Sequence, residues 1–277
     1  MNAGRTARDR ARAELTQEIK DTARRQLATD GAERLSLRAV SRELGMVSSA
    51  LYRYFPSRDD LLTALIIDAY DALGAAVEKA AGAAVGKGAG AGKGSGAGVR
   101  EAAGAPAGRG AGAAVREGMA SGEPREAWLA ACRAVRAWAR KHPHEYALIY
   151  GSPVPGYSAP QSTVQPASRV AVCLLGVLQR AQAAGVLEVP ADAVEPAGAL
   201  VDQLQQLEAV APDVPKAVLL RTGMIWAQLF GLVSFELFGQ FVGTFDPADE
   251  LFEAAIASHA AFLGLGRHAL SERVGQR

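Results

Sequence analysis

The side chains in this sequence with the clearest chemical purpose are hydroxyl, phenol and guanidinium groups concentrated between residues 36 and 58. The partners that such hydrogen-bonding groups suit are phosphate oxygens and the base edges of nucleic acids. Tyr52, Tyr54 and Arg58 suit phosphate oxygens, whereas the other positions are candidates for base edges or nearby phosphates. The predicted contact residues are Ser36, Arg38, Ser48, Ser49, Ala50, Tyr52, Arg53, Tyr54 and Arg58.

Two short helices joined by a glycine turn are needed to present these side chains together. Apolar residues at helical spacing form the buried face of the first helix, namely Leu37, Val40 and Leu44. Ser36 is a suitable N-cap, because a serine hydroxyl accepts a hydrogen bond from a free backbone N–H. Gly45 follows where a positive φ is needed, and Ser48 or Ser49 begins the second helix. A small second helix of this kind fits a DNA groove.

Local signals also delimit the second helix and the helix after it. Leu51 faces the same core as the first helix, and Phe55 packs at its far end. Pro56 ends the second helix, since proline cannot continue it. Ser57 then caps a third helix, and Asp60 stands three residues later, as in a capping box.

A leading helix must complete this small core, and an arginine-rich segment precedes it. The helix is predicted from apolar residues spaced by four, namely Ala11, Leu15, Ile19, Ala23 and Leu27. Residues 1–13 are predicted to be a flexible basic arm, which either enters a minor groove or is merely solvated. Residues 1–60 hold twelve Lys/Arg and nine Asp/Glu, a net charge of +3 that provides local attraction to DNA.

The segment from about Leu15 to Leu65 resembles the DNA-binding domain of TetR-family transcriptional regulators. The resemblance rests on Gly45, Leu51, Tyr52, Tyr54, Phe55, Ser57, Arg58 and Leu61 at the family's spacing. Many members have Ala-Gly-Val-Ser at the turn, whereas this chain has Leu44-Gly45-Met46-Val47, so helix capping is expected to shift to Ser48. Ser41 also replaces a common alanine. The resemblance implies an N-terminal three-helix helix-turn-helix domain and a larger helical domain for ligand binding and dimerisation.

The composition of the chain is that of a protein with a sizeable core. The 277 residues are 49% hydrophobic and carry a net charge of +1, so attraction to an acidic partner depends on local patches. Cys132 and Cys173, the only cysteines, are predicted to be buried thiols, which agrees with a reducing cytoplasm. Residues 217–238 are the nearest approach to a membrane span, but Arg221, Gln228 and Glu236 interrupt them and favour a buried helix.

Every predicted element is helical, so the predicted fold class is all-α. Residues 14–60 form the predicted helix-turn-helix domain, and residues 61–277 form the C-terminal domain. Residues from about 82 to 122 are mostly glycine and alanine, and they are predicted to be a disordered insertion because too few large apolar residues offset the entropy of ordering. Further helices are predicted over 58–80, 163–184, 192–209, 215–240 and 247–264, with a short one from Pro143 to about Gly151.

Small residues spaced by four along 215–240 share one ridge, which allows a second helix to approach closely. With the last helix, this ridge is predicted to form half of a symmetric four-helix interface; the alternative is an ordinary core helix. The predicted interface residues are Gly223, Ala227, Gly231, Phe235, Gly239, Leu251, Ala255 and Phe262. The TetR resemblance implies the same arrangement, because members of the family dimerise through their last two long helices.

The family resemblance also implies a small-molecule pocket in the C-terminal domain, and aromatic residues with one arginine are candidates for its wall. They are Trp128, Arg133, Tyr146, Tyr150, Trp226 and Phe230. At helical spacing, each of them is alternatively a core residue. His142, His144 and Glu145 are interpreted as surface or capping residues and not as a metal site, because the two imidazoles do not share one helix face.

Together these patterns predict a cytoplasmic, homodimeric DNA-binding regulator, a repressor that leaves a palindromic operator when a small-molecule effector binds. The alternative is an effector-independent DNA-binding or architectural protein. No cofactor, metal or membrane partner is predicted. An enzyme is not expected, because the sequence has no G-x-S-x-G motif, no zinc-ligand spacing and no complete phosphate loop.

Overall fold

The computed structural model of the chain describes residues 3–90 and 124–266, and within these ranges all regular structure is helical, as predicted. The α-helices are α1 (Ala3–Asp30), α2 (Leu37–Glu43), α3 (Ser48–Leu51), α4 (Arg58–Gly90), α5 (Pro124–Lys141), α6 (Pro143–Tyr150), α7 (Val164–Ala183), α8 (Ala199–Gln203), α9 (Gln205–Val210), α10 (Lys216–Leu237) and α11 (Asp249–Phe262). Two short 3₁₀ turns, Ala32–Arg34 and Gln161–Thr163, precede α2 and α7.

The chain divides into two compact units. The N-terminal unit contains the residues up to Gly74 and the segment Trp138–Arg169, and the C-terminal unit contains the described residues between Ala75 and Ala137 and from Val170 onward. The unit that holds the helix-turn-helix is therefore larger than the predicted domain 14–60. It also includes the first half of α4, the short helix α6 and the loop before α7, which the sequence analysis assigned to the C-terminal domain.

The core of the N-terminal unit gathers apolar side chains from α1 to α4. Ile19 and Ala23 of α1 are fully buried against Val40 of α2, Leu51 of α3 and Leu61 of α4 in one hydrophobic cluster. Burial of a leucine of this kind contributes about 1.5–3 kcal/mol. This cluster therefore positions the short helices α2 and α3, whose few backbone hydrogen bonds would not stabilise them alone.

Two predictions of unfolded segments differ from the structure. Residues 3–13 belong to α1 and do not form a separate arm, because alanine and arginine are strong helix formers and no proline interrupts them. Helix α4 continues to Gly90, so the first nine residues of the predicted insertion at 82–122 are helical. The remainder of that insertion, from residue 91, lies outside the described residues.

In the C-terminal unit, the predicted helices differ from the observed ones mainly at their ends. The segment predicted as a helix over 192–209 becomes helical only at Ala199, after Pro196 and a positive-φ Gly198. Helix α10 ends at Leu237, and Gly239 adopts φ +77° in the turn that follows. The predicted helix over 215–240 was thus too long, because a left-handed glycine ends a helix.

Helix α10, Lys216–Leu237, is the one described helix that is long and apolar enough to cross a membrane by length and composition, and 44% of its most apolar window is buried in the protein. Arg221 on this helix is also buried. Its guanidinium donates to the carbonyl of Phe262 at 2.7 Å and to Asp192 at 2.8 Å. These contacts show that one side of α10 packs inside the C-terminal unit.

A three-residue ion cluster joins α5, α10 and α11 in the same unit. Arg136 of α5 donates two hydrogen bonds to Glu236 of α10, at 2.6 and 2.7 Å, and one to Asp249 of α11 at 2.9 Å. The hydrogen bond to Glu236 is the main reason that the pKa of Arg136 is raised. One guanidinium therefore fixes three helices at a single point, in the paired geometry that makes such bonds strong.

Candidate nucleic-acid interface

The turn between α2 and α3 has the geometry that the glycine predicts. Gly45 adopts φ +64°, a conformation that glycine reaches without steric cost. The backbone N–H of Met46 donates to the carbonyl of Ser41 at 2.8 Å and returns the chain towards α2. The second helix then begins at Ser48, which is one of the two predicted starts.

The caps of these helices match the predictions only in part. The cap of α4 by Ser57 is confirmed, because the N–H of Asp60 donates to Ser57 Oγ at 3.1 Å. The second bond differs from that of a capping box, since the Asp60 carboxylate accepts from Ser57 Oγ, at 2.7 Å. Ser36 stands at the N-cap of α2, but its hydroxyl makes no capping bond. The N-cap of α3 is Val47, so capping does not shift to Ser48 as expected. The hydroxyl of Ser48 instead bonds to Ser41.

The surface formed by α2, α3 and the turn after α3 presents most of the predicted contact residues. Arg38, Ser49, Tyr52 and Arg53 are exposed, and Ser36, Ser48, Ala50 and Tyr54 are half-buried. The side chain of Tyr52 is 41% exposed. We call this set of eight residues the contact face.

Arg58 does not belong to the contact face. Its Nη2 donates to the carbonyl of Ala32 at 2.8 Å and its Nε donates to that of Leu35 at 3.2 Å, while its Nη1 pairs with Asp59. These bonds tie the start of α4 to the connection between α1 and α2. The prediction that Arg58 contacts phosphate is therefore replaced by a structural role, because its donors are already engaged by the protein.

Two residues next to the contact face were not predicted from the sequence. Val47, the N-cap of α3, is 70% exposed. Arg42, near the end of α2, is also exposed. The helical spacing of Arg38 and Arg42, which places them on one side of α2, was a signal that could have identified the second arginine.

Cations in the N-terminal unit fall into two groups. Lys20 and Arg24 bond to Asp68, and Arg25 bonds to Glu43, at distances of 2.6 to 2.9 Å. Arg38, Arg42 and Arg53 have no ion pair within the described residues. Three arginines without a described ion pair therefore lie on α2 and beside α3, where they would attract a polyanion.

The first turns of α1 also approach this region. The guanidinium of Arg12 lies 5.3 Å from the centre of the Tyr54 ring, a cation–π distance. Tyr54 packs in turn against the hydrophobic cluster of the N-terminal unit. Arg12, predicted to lie in a flexible arm, is therefore positioned on a helix beside a residue of the contact face.

An open groove of about 600 Å³ lies elsewhere in the N-terminal unit, lined by residues of α4, α6, the following loop and α7. Ile66, Leu148 and Ala167 supply apolar surface, and Tyr70 and Tyr157 add phenols. Tyr70 donates to the carbonyl of Ile149 at 3.3 Å. Its pKa is raised mainly by burial and to a smaller extent by the nearby Tyr157. None of the residues that line the groove carries a formal charge.

The six residues predicted to line a ligand pocket are divided between the two units. Tyr146 and Tyr150 belong to the N-terminal unit, with ring centres 5.2 Å apart, whereas the other four belong to the C-terminal unit. Trp128 is fully buried, and Trp226 packs on Phe230 at 4.5 Å. Arg133 pairs with both oxygens of Glu253. Most of these side chains therefore serve packing or pairing within their own unit.

The histidines near α6 have structural contacts. The ring of His142 stacks on Trp138, with centres 5.2 Å apart, and its Nδ1 lies 3.6 Å from Glu145. His142 is the N-cap residue of α6. These contacts agree with the interpretation of His142 and Glu145 as a helix start.

The predicted interface ridge is solvent-exposed along most of α10. Gly223, Ala227 and Phe235 are exposed, and Gly231 is half-buried. On α11, Leu251 and Ala255 are half-buried and Phe262 is exposed. Gly239 lies beyond the end of α10 and is not part of the ridge, which corrects the prediction.

Comparison with known proteins gives matches along most of the chain. Residues 19–65 match the family described as bacterial regulatory proteins, tetR family, and residues 128–259 match the family described as tetracyclin repressor-like, C-terminal domain. The chain is 33% identical over 263 residues to HTH-type transcriptional regulator Rv1816 of Mycobacterium tuberculosis and to Mb1846 of Mycobacterium bovis, covering 90% of this chain and 95% of each relative.

Solved structures with the same fold are also found. The putative regulatory protein SCO4313 superposes with a TM-score of 0.62 at 31% identity, covering 91% of this chain and 98% of that one. A protein of unknown function from Rhodococcus sp. RHA1 superposes with a TM-score of 0.58 at 22% identity, covering 90% and 95%, and supports the fold alone.

Proposed function

This chain belongs to the TetR family of DNA-binding transcriptional regulators, and from that premise we propose that it is a ligand-responsive repressor that binds a palindromic operator as a homodimer in the cytoplasm. The observation that carries the proposal is the contact face, where serine hydroxyls and the exposed phenol of Tyr52 lie beside Arg38 and Arg53, two arginines without ion pairs in the described residues. Such a face combines attraction to phosphate with groups that read bases.

The exposed ridge of α10 supports the homodimer. Phe235 is 53% exposed and Met224 is 46% exposed, with glycine and alanine between them, on a helix whose opposite side is buried. A contiguous apolar surface of this kind marks an interaction site, and a second copy covers it by two-fold symmetry. Two contact faces held in one dimer read both halves of a palindrome.

Selection of bound DNA from a random pool tests this proposal. We expect an inverted repeat in the selected sequences and two chains per duplex in sedimentation analysis. The double variant R38A/R53A tests the contribution of the contact face, because it removes two uncompensated guanidinium groups without breaking a described ion pair. It should remain folded and reduce the slope of log affinity against log salt by about one for each phosphate that the protein no longer neutralises. Unrelated selected sequences, or one chain per duplex, would refute the palindromic dimer.

The groove of the N-terminal unit supports the part of our proposal in which a small-molecule effector binds the protein. Ile66 lines the groove and also belongs to the hydrophobic cluster that holds α3 through Leu51. A ligand in the groove would therefore act on the packing of the helix-turn-helix within one compact unit. Because no lining residue is charged, the groove suits a neutral and largely apolar molecule, since a buried charge would lack a partner. Release of DNA requires that the ligand prefer the conformation that fits DNA poorly.

Filling the groove tests the effector site. We expect Nile red, a neutral apolar dye, to bind the protein and to weaken operator binding, and A167F to reduce dye affinity at least tenfold. The control is A72F, because Ala72 is an exposed position of α4 that does not line the groove. Dye binding that A167F and A72F affect equally would exclude the groove. Dye binding without any change in operator affinity would favour an effector-independent DNA-binding protein.

A further inference from the structure

Two serine hydroxyls connect the helices of the helix-turn-helix. Ser41 on α2 is fully buried, and its Oγ donates to the carbonyl of Arg38 at 3.0 Å. The same oxygen lies 3.1 Å from Oγ of Ser48, the first residue of α3. These two contacts form a short chain from the backbone of α2 to the start of the second helix.

The direction of hydrogen bonding along this chain follows from counting hydrogens. A serine hydroxyl has one hydrogen to donate and two lone pairs to accept, whereas a carbonyl can only accept. When the hydrogen of Ser41 is used on the carbonyl of Arg38, the contact between the two hydroxyls needs the hydrogen of Ser48. With both contacts made, the hydroxyl of Ser48 keeps lone pairs and has no hydrogen to offer.

The direction of this hydrogen bond matters because the hydroxyl of an unbonded serine does not discriminate between bases. A rotating hydroxyl can donate to an acceptor or accept from a donor, so serine contacts any base edge. In the major groove, adenine N6 and cytosine N4 are amino donors, whereas guanine O6 and thymine O4 are acceptors. A hydroxyl that can only accept would bond to the first pair and would place two acceptors face to face with the second.

We propose that Ser48 reads one strand position in each half-site as a hydrogen-bond acceptor, selecting adenine or cytosine over guanine or thymine. Ser41 is then a positioning residue, which sets this preference without touching DNA. The proposal rests on the placement of Ser48 at the contact face in the proposed function.

The test measures the affinity of wild type, S48A, S41A and S162A for operator variants that carry each of the four bases at each half-site position. At one position, we expect wild type to prefer adenine or cytosine about tenfold, and S48A to lose that preference. S41A should accept all four bases there within about twofold, because the hydrogen of Ser48 is released. S162A, at an exposed serine of the turn Gln161–Thr163 outside the contact face, should keep the wild-type preference at that position.

A second measurement uses the unmodified protein and changes only the DNA. At the position identified, purine deoxyriboside replaces adenosine, or 2-pyrimidinone deoxyriboside replaces cytidine, so that the amino group alone is removed. Wild type should bind about tenfold more weakly, and S48A should show no further weakening. A preference for guanine or thymine at this position would overturn the inference, and so would the absence of any position that S48A affects. In either case, an inverted repeat in the selected DNA would still support the proposed repressor. DNA selection without any preferred sequence would instead refute both.

Discussion

Replacement of Arg136 by alanine should lower the free energy of unfolding by about 3 kcal/mol, one of the two largest effects that we expect from a single substitution in this chain. The Arg136 side chain is only 10% exposed, and it joins three helices through Glu236 and Asp249. Its removal leaves the half-buried carboxylate of Glu236 without its guanidinium. Urea unfolding followed by circular dichroism would measure the change as a shift in midpoint.

Arg133 is a matched control for this substitution. It lies one turn earlier on the same helix and pairs with Glu253 of α11 at 2.7 Å, but both side chains are nearly half exposed. An exposed pair of this kind contributes between about 0.2 and 1 kcal/mol, because water and salt screen the charges. R133A should therefore shift the midpoint far less than R136A. Equal shifts in the two variants would show that burial does not determine the strength of these ion pairs.

Replacement of Phe235 by glutamate should raise the dissociation constant of the proposed homodimer by at least about 100-fold, or roughly 3 kcal/mol. In a two-fold interface the substitution appears twice, and each carboxylate loses its hydration without a partner. Operator affinity should fall as well, because each half-site would be bound independently. Sedimentation velocity over a range of protein concentrations would measure the change.

The control for this prediction is V194E. Val194 is a large apolar residue with 70% exposure, but it lies in the connection between α7 and α8, outside the predicted interface ridge. This variant should dimerise as the wild type does. If F235E remains dimeric, or if V194E dissociates equally, the ridge on α10 is not the interface.

Several features were predicted correctly because they depend on residues close together in the sequence. The positive φ of Gly45, a start of α3 at one of the two predicted serines and the cap of α4 by Ser57 each follow from two to four neighbouring side chains. The TetR resemblance is confirmed by the family matches for the same reason, since its motif lies within one short segment.

Other features could not be predicted, because they depend on partners that are distant in the chain. Arg58 was expected to bind phosphate, but it bonds to carbonyls 23 and 26 residues away. Arg133 was expected to line a pocket, but its partner, Glu253, follows 120 residues later. A long flexible side chain has many rotamers of similar energy, so the nearest available partner decides its direction.

The sequence by itself determined the helices, the glycine turn and the family, because helix propensity, capping and apolar spacing act over a few residues. Only the tertiary structure decided which arginines are available to DNA and which side chain the hydroxyl of Ser48 contacts. These properties depend on which groups from separate helices come within hydrogen-bonding distance. A hydrogen bond forms over about 3 Å, so a change of partner changes the chemistry of a side chain without altering the helix that carries it.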